Sequence, residues 1–143
     1  MIAIDAEWGL AMRLSKTVKY PLQMTLGAVD NDNLIYAMGK QIGDQCKRLG
    51  IHMNFAPVVD VNSNPKNPVI GMRSFGQDPL LVAQKGMMYM KGLQNSGVIA
   101  CAKHFPGHGN TFTDSHYDLP VISANMDALK ANDLMPFQYL IDQ

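Results

Sequence analysis

Chemistry-bearing side chains concentrate in one stretch of the chain, Lys103-His104-Phe105-Pro106-Gly107-His108-Gly109-Asn110-Thr111-Phe112-Thr113-Asp114-Ser115-His116. It follows an apolar run, Val98-Ile99-Ala100-Cys101-Ala102, that reads as a buried strand. A lysine, three histidines and an aspartate set around glycines cannot serve a core, because apolar packing leaves their polar atoms without partners. Titratable residues just after a buried strand are where α/β folds place binding and catalysis. Two further sets fit the same rule: Asp5 and Glu7 after the run Met1-Ile2-Ala3-Ile4, and Asp60 after a longer apolar run. A histidine can both give and take a proton near neutrality, since its unperturbed pKa is about 6.5. An aspartate beside it fixes the tautomer and favours the protonated ring. Asp114 and His116 would share one side of an extended segment, because alternate side chains point the same way.

The elements that position these residues follow from periodicity and punctuation. Over residues 33–49, Leu34, Ile35, Met38, Ile42, Cys46 and Leu49 recur at three- and four-residue steps. They form one face of an amphipathic helix, with Asn31 or Asp32 as its cap and Gly50 as its terminator. Pro21 opens a short helix near Leu22-Gln23-Met24. Residues 51–61 read as a strand interrupted by Pro57. Asp78-Pro79 starts a second long helix ending near Gly97, and Asp133 caps a last one with Pro136 in its first turn. Strand, helix, strand, helix, strand, helix implies parallel strands with right-handed crossovers. The fold class expected is α/β: a partial (β/α)8 TIM-type barrel, with residues 1–143 as an incomplete barrel, about its first half.

Composition narrows the function. Hydrophobic residues make up 47% and charged residues 17%, with twelve basic against twelve acidic side chains. That is a globular chain without a net field to gather nucleic acid or an anionic membrane, and neutral ligands such as sugars suit it. No run approaches a membrane span. Cys46 and Cys101 lack CxxC spacing and read as small buried residues.

Taken in order, Ile4-Asp5-Ala6-Glu7 with Arg13, Phe55-Ala56-Pro57-Val58-Val59-Asp60-Val61, Arg73-Ser74-Phe75-Gly76, the long loop and Asp133-Leu134-Met135-Pro136-Phe137 resemble the catalytic barrel of glycoside hydrolase family 3. The likeness runs along the whole chain and is strongest to the branch of β-N-acetylglucosaminidases acting on peptidoglycan fragments. It implies a retaining glycosidase that removes terminal β-linked N-acetylglucosamine from muropeptides. His116 would be its general acid/base and Asp114 the assisting carboxylate, while Asp5, Arg13, Arg73, Lys103 and His104 would grip the terminal sugar. The family's aspartate nucleophile lies on a later strand, past Gln143, so the chain by itself is expected to be inactive. The resemblance implies no metal or organic cofactor, a bacterial protein of the cytoplasm or periplasm, and a possible further C-terminal domain. Trp8 and Leu10 depart from the better-known members, which carry glycine and arginine there, and Asn110 replaces a frequent aspartate; these bear on fine specificity.

Other readings stay open beside it. The chain could be a sugar-binding remnant without catalysis. It could belong to a metal-dependent hydrolase in which His104 and His108, with Asp114 or His116, act as ligands, although the spacing matches no helical metal motif. Phosphorolysis in place of hydrolysis is also compatible with a histidine acid/base.

Overall fold

The computed structural model describes residues 1–111, 121–122 and 124–143. Three short parallel strands, β1 (Ala3–Ile4), β2 (Met53–Asn54) and β3 (Ile99–Ala100), form a sheet in chain order. Ala3 pairs with Met53 and Met53 with Ile99, so the strands are in step. Helices α1 (Gln23–Gly27) and α2 (Asp32–Arg48) lie between β1 and β2, and α3 (Pro79–Asn95) lies between β2 and β3. Helices α4 (Met126–Ala131) and α5 (Met135–Ile141) follow. This is the consecutive β/α order of a TIM-type barrel, as the sequence predicts.

The helix boundaries have local causes. The Asn31 side chain accepts from the amide of Asn33 to cap α2, and Gly50 ends it at φ 72°. Asp78 Oδ1 accepts from the amides of Leu80 and Leu81 at 2.8 and 3.3 Å, with Pro79 in the first turn of α3. Satisfied N-terminal amides at both helices fix where each crossover begins. The backbones of α2 and α3 approach closely: a Cβ on Gly92 would lie 2.3 Å from the Tyr36 carbonyl oxygen. Ile35, Ile42, Cys46, Val82, Tyr89 and Leu93 are buried where these helices meet each other and the sheet.

Three expectations need correction. The predicted strand over 51–61 is paired only at Met53–Asn54 and again at a bridge between Val58 and Lys103. Pro57 has no amide to donate, and the amide of Ala56 turns back to the Asn54 carbonyl at 2.8 Å, which interrupts the ladder. Asp133 does not cap the last helix. Leu134 occupies that position without a side-chain cap, while Asp133 is buried and burial pushes its carboxyl above the usual range. Cys101 is half-buried because it follows β3 at the sheet's edge; Cys46 is fully buried, its thiol pushed up to about 11.

Side-chain amides extend the sheet where backbone pairing stops. Asn54 is wholly buried; its Oδ1 accepts from the Ala6 amide at 3.0 Å and its Nδ2 donates to the Ala6 carbonyl at 3.2 Å. Gln23 treats Val58 likewise, at 3.1 and 2.6 Å. The buried Tyr89 hydroxyl donates to the carbonyls of Ala6 and Glu7. These bonds hold the first residues after β1 and β2 as firmly as a strand would.

Candidate active site

At the C-terminal ends of the strands, the segments after β1, β2 and β3 and the turn Gly71–Arg73 surround a cavity of about 410 Å³. Its polar lining includes Asp5, Glu7, Arg13, Arg73, Lys103 and His104. Parallel sheets place ligands at this end, where strand carbonyl ends and loops converge.

The charges interlock. Lys103 Nζ lies 2.8 Å from both Asp5 Oδ1 and Glu7 Oε1. Glu7 is 2% exposed and receives a two-pronged grip from Arg73, Nε to Oε2 at 2.9 Å and Nη2 to Oε1 at 2.7 Å. Arg73 Nη1 also donates to the Val69 carbonyl at 3.2 Å. Arg13 reaches Asp5 Oδ2 at 3.0 Å from the rim, where its side chain is 49% exposed. Burial alone would raise the Glu7 carboxyl, but the hydrogen bonds and attraction of Arg73 and Lys103 outweigh it and hold the group below its usual value. Asp5 behaves alike: desolvation is overcome by Lys103 and Arg13, and its carboxyl is depressed.

A second network lies beneath the cavity floor. Asp60 is wholly buried. Its Oδ2 takes the amide of His104 at 3.1 Å and faces His104 Nδ1 at 2.5 Å, while Oδ1 takes the amide of His108 at 2.7 Å. His104 Nε2 faces Arg73 Nη2 at 3.2 Å. Asn67 Nδ2 donates to the carbonyl of His108 at 2.7 Å and to that of Thr111 at 3.1 Å, and Asn64 also reaches Thr111. The base of the long loop is thereby stitched to the asparagine-rich loop. Gly109 completes the fit: a Cβ there would lie 1.7 Å from the Val61 carbonyl oxygen.

Of the residues singled out in the sequence, Asp5, Arg13, Arg73, Lys103 and His104 come together on this cavity. Asp114 and His116 lie outside the described residues. Glu7, which the sequence sets beside Asp5 after the first apolar run, is the buried acceptor for Arg73 and Lys103. Asp60 holds the ring of His104 from beneath the cavity. Trp8, noted only as a departure, lines the cavity together with Met12 and Val69. His52 is an ordinary strand-end residue whose Nδ1 accepts from the Ile2 amide. Among the described residues no three His, Cys, Asp or Glu side chains are arranged to hold a metal, and no helix is long and apolar enough to cross a membrane.

A profile of the glycosyl hydrolase family 3 N-terminal domain matches residues 1–143. The chain belongs to glycoside hydrolase family 3. Within the family it is 42% identical over 145 residues to beta-hexosaminidase A of Pseudoalteromonas piscicida, covering 98% of this chain and 24% of that protein. It is 37% identical to beta-hexosaminidase LpqI of Mycobacterium tuberculosis, over 99% of this chain and 37% of the relative. Among solved structures, the family 3 β-N-acetylglucosaminidase of Paenibacillus sp. str. FPU-7 superposes with a TM-score of 0.93 at 44% identity, over 99% of this chain and 27% of that one. The chain thus spans about a quarter to two-fifths of the length of these relatives.

Proposed function

We propose that residues 1–143 are the sugar-gripping first half of the catalytic barrel of a β-N-acetylglucosaminidase. The enzyme releases terminal β-linked N-acetylglucosamine from muropeptides or related glycans. The observation that carries this reading is the linked set Asp5, Lys103, Glu7, Arg73 and His104 on one cavity after three parallel strands. Asp5, Arg13, Arg73, Lys103 and His104 offer charged and polar groups to ring hydroxyls, and charge-assisted hydrogen bonds of this kind are about twice as strong as neutral ones. Family members named as β-hexosaminidases and β-N-acetylglucosaminidases support the substrate class.

Chemically, a retaining mechanism needs a carboxylate on one face of the sugar and a proton donor at the leaving oxygen. Both carboxylates in this cavity are held by cations: Asp5 by Lys103 and Arg13, Glu7 by Arg73 and Lys103. Neither is free to attack. The family resemblance puts the nucleophile on a later barrel strand, outside residues 1–143. His116 is the proton donor and later the base, with Asp114 favouring its charged form. Glu7 does no bond-making; it holds Arg73 and Lys103 toward the substrate.

The test is His116→Ala in the full-length protein, assayed on aryl N-acetyl-β-glucosaminides with leaving groups of graded acidity. Turnover of substrates with poor leaving groups falls by about 10²–10⁴-fold, and those with good leaving groups suffer least. A uniform loss across the series, or none, refutes the assignment.

A further inference from the structure

The cavity has two kinds of lining. Asp5, Glu7, Arg73 and Lys103 make up the interlocked polar kind, and Trp8, Met12 and Val69 the apolar kind. All three apolar residues are half-buried, so each keeps surface open to whatever enters. Trp8 is held from both sides. Before it, the Tyr89 hydroxyl reaches the Ala6 and Glu7 carbonyls at 3.1 and 3.0 Å. Its own carbonyl accepts from the Tyr20 amide at 3.1 Å. After it, Gly9 stands at φ 88° with its amide on the Ala6 carbonyl at 3.2 Å, and a Cβ there would lie 2.7 Å from the Tyr20 ring. Leu10, 3% exposed, anchors the single turn Leu10–Met12. The backbone under the indole is thus set before any ligand arrives, which spares the cost of ordering it on binding.

We propose that Trp8 is a further sugar-binding residue, whose indole packs flat against the C–H face of the terminal ring while Met12 and Val69 extend that apolar surface. This rests on the reading of the cavity as a sugar site. A pyranose is polar around its edge, where hydroxyls project, and apolar on its faces, where axial C–H bonds project. The charged and polar side chains of the cavity serve the edge and leave a face without a partner. An indole suits that face: it is large and rigid, and its π-surface is negative where the C–H bonds of a sugar are slightly positive. A few placed polar groups beside an apolar surface is also the usual make-up of a small-molecule site.

Three substitutions in the full-length protein separate this role from a structural one. The inhibition constant of N-acetylglucosamine, measured by competition against an aryl substrate, rises about tenfold in Trp8→Ala, the change that ~1.4 kcal/mol of lost apolar contact produces. Trp8→Phe keeps a flat face and stays within about threefold of the native protein. Trp8→Leu keeps apolar bulk without the face and behaves like Trp8→Ala. An unchanged inhibition constant in Trp8→Ala, or a Trp8→Leu variant as good as Trp8→Phe, overturns the proposal. A loss confined to the KM of glycosides, with N-acetylglucosamine itself unaffected, sets Trp8 against the leaving group and overturns it too. If N-acetylglucosamine does not compete against the native protein at all, the sugar-site reading fails instead. Fluorine NMR gives an independent readout. Fluorotryptophan is incorporated into the full-length protein, and the Trp8 resonance is assigned by its absence from Trp8→Phe. That resonance shifts with added N-acetylglucosamine along a curve that matches the inhibition constant. A resonance that stays in place overturns the proposal even if Trp8→Ala does not fold.

Discussion

Replacing Glu7 by glutamine removes one negative charge from beneath two cations and leaves the shape almost unchanged. The carboxylate accepts from Arg73 Nε at 2.9 Å, from Arg73 Nη2 at 2.7 Å and from Lys103 at 2.8 Å. A glutamine oxygen can keep the last two, both made to Oε1, but its NH₂ then faces Arg73 Nε, donor against donor. One bond is lost outright and two fall from charged to neutral acceptors. Removing one partner of a buried ion pair costs about 3–5 kcal/mol. Here Arg73 keeps the Val69 carbonyl and Lys103 keeps Asp5, so the lower end applies, about 3 kcal/mol at pH 7. The Glu7 carboxyl is depressed in the folded protein, so its stabilising effect is complete above its unfolded value of 4.5. That effect fades as pH falls below this value, and it is lost once pH passes the lower folded value. Urea denaturation of native and Glu7→Gln full-length protein at several pH values measures the difference. A gap under about 1 kcal/mol at pH 7, or one that does not shrink between pH 5 and pH 3, refutes the account of Glu7 as the charge that holds the cations.

Two other expectations concern the loop and the chemistry. Gly109→Ala puts a Cβ 1.7 Å from the Val61 carbonyl oxygen and 2.6 Å from its carbon, both backbone atoms that cannot rotate away. The loop base must shift, and this costs stability by about 1–3 kcal/mol in thermal or urea denaturation; a neutral substitution would mean the asparagine clamp does not fix the loop. Prolonged treatment of the full-length protein with EDTA leaves turnover of an aryl N-acetylglucosaminide unchanged, whereas loss of activity restored by zinc would favour the metal-dependent reading.

How much of this was legible in the sequence depended on whether the cause was local. Asp78-Pro79 and Gly50 announce helix ends through bonds within one turn, and they sit where expected. The ordered motifs gave the family, and with it the five residues that share the cavity. What escaped was set by partners far along the chain. Asp133 looks like a cap because it precedes an apolar run with proline in the first turn, but packing against Gly107 takes it inside. Residues 51–61 announce their break at Pro57, but not that regular pairing stops earlier, at Asn54, where the Ala56 amide turns back to the Asn54 carbonyl. Glu7 could be read either as a site residue or as a structural salt-bridge partner, since nothing near it in sequence names Arg73. Asp60 gave a weaker signal, a carboxylate ending an apolar run, and its histidine partners lie more than forty positions away.

The two carboxylates nearest the cavity and the one beneath it divide the work by exposure. Asp5, with 36% of its side chain exposed, can exchange water for a ligand hydroxyl. Glu7, at 2%, cannot, so its charge goes wholly into orienting Arg73 and Lys103. Asp60, at 0%, lies one layer deeper and holds His104 and the amide of His108 in place. The sugar of the proposed function offers no charge of its own to organise such a site, so the protein must set the directions of its donors and acceptors beforehand. Burying carboxylates behind the groups that touch the ligand achieves that. It is also why Glu7→Gln should chiefly lower stability.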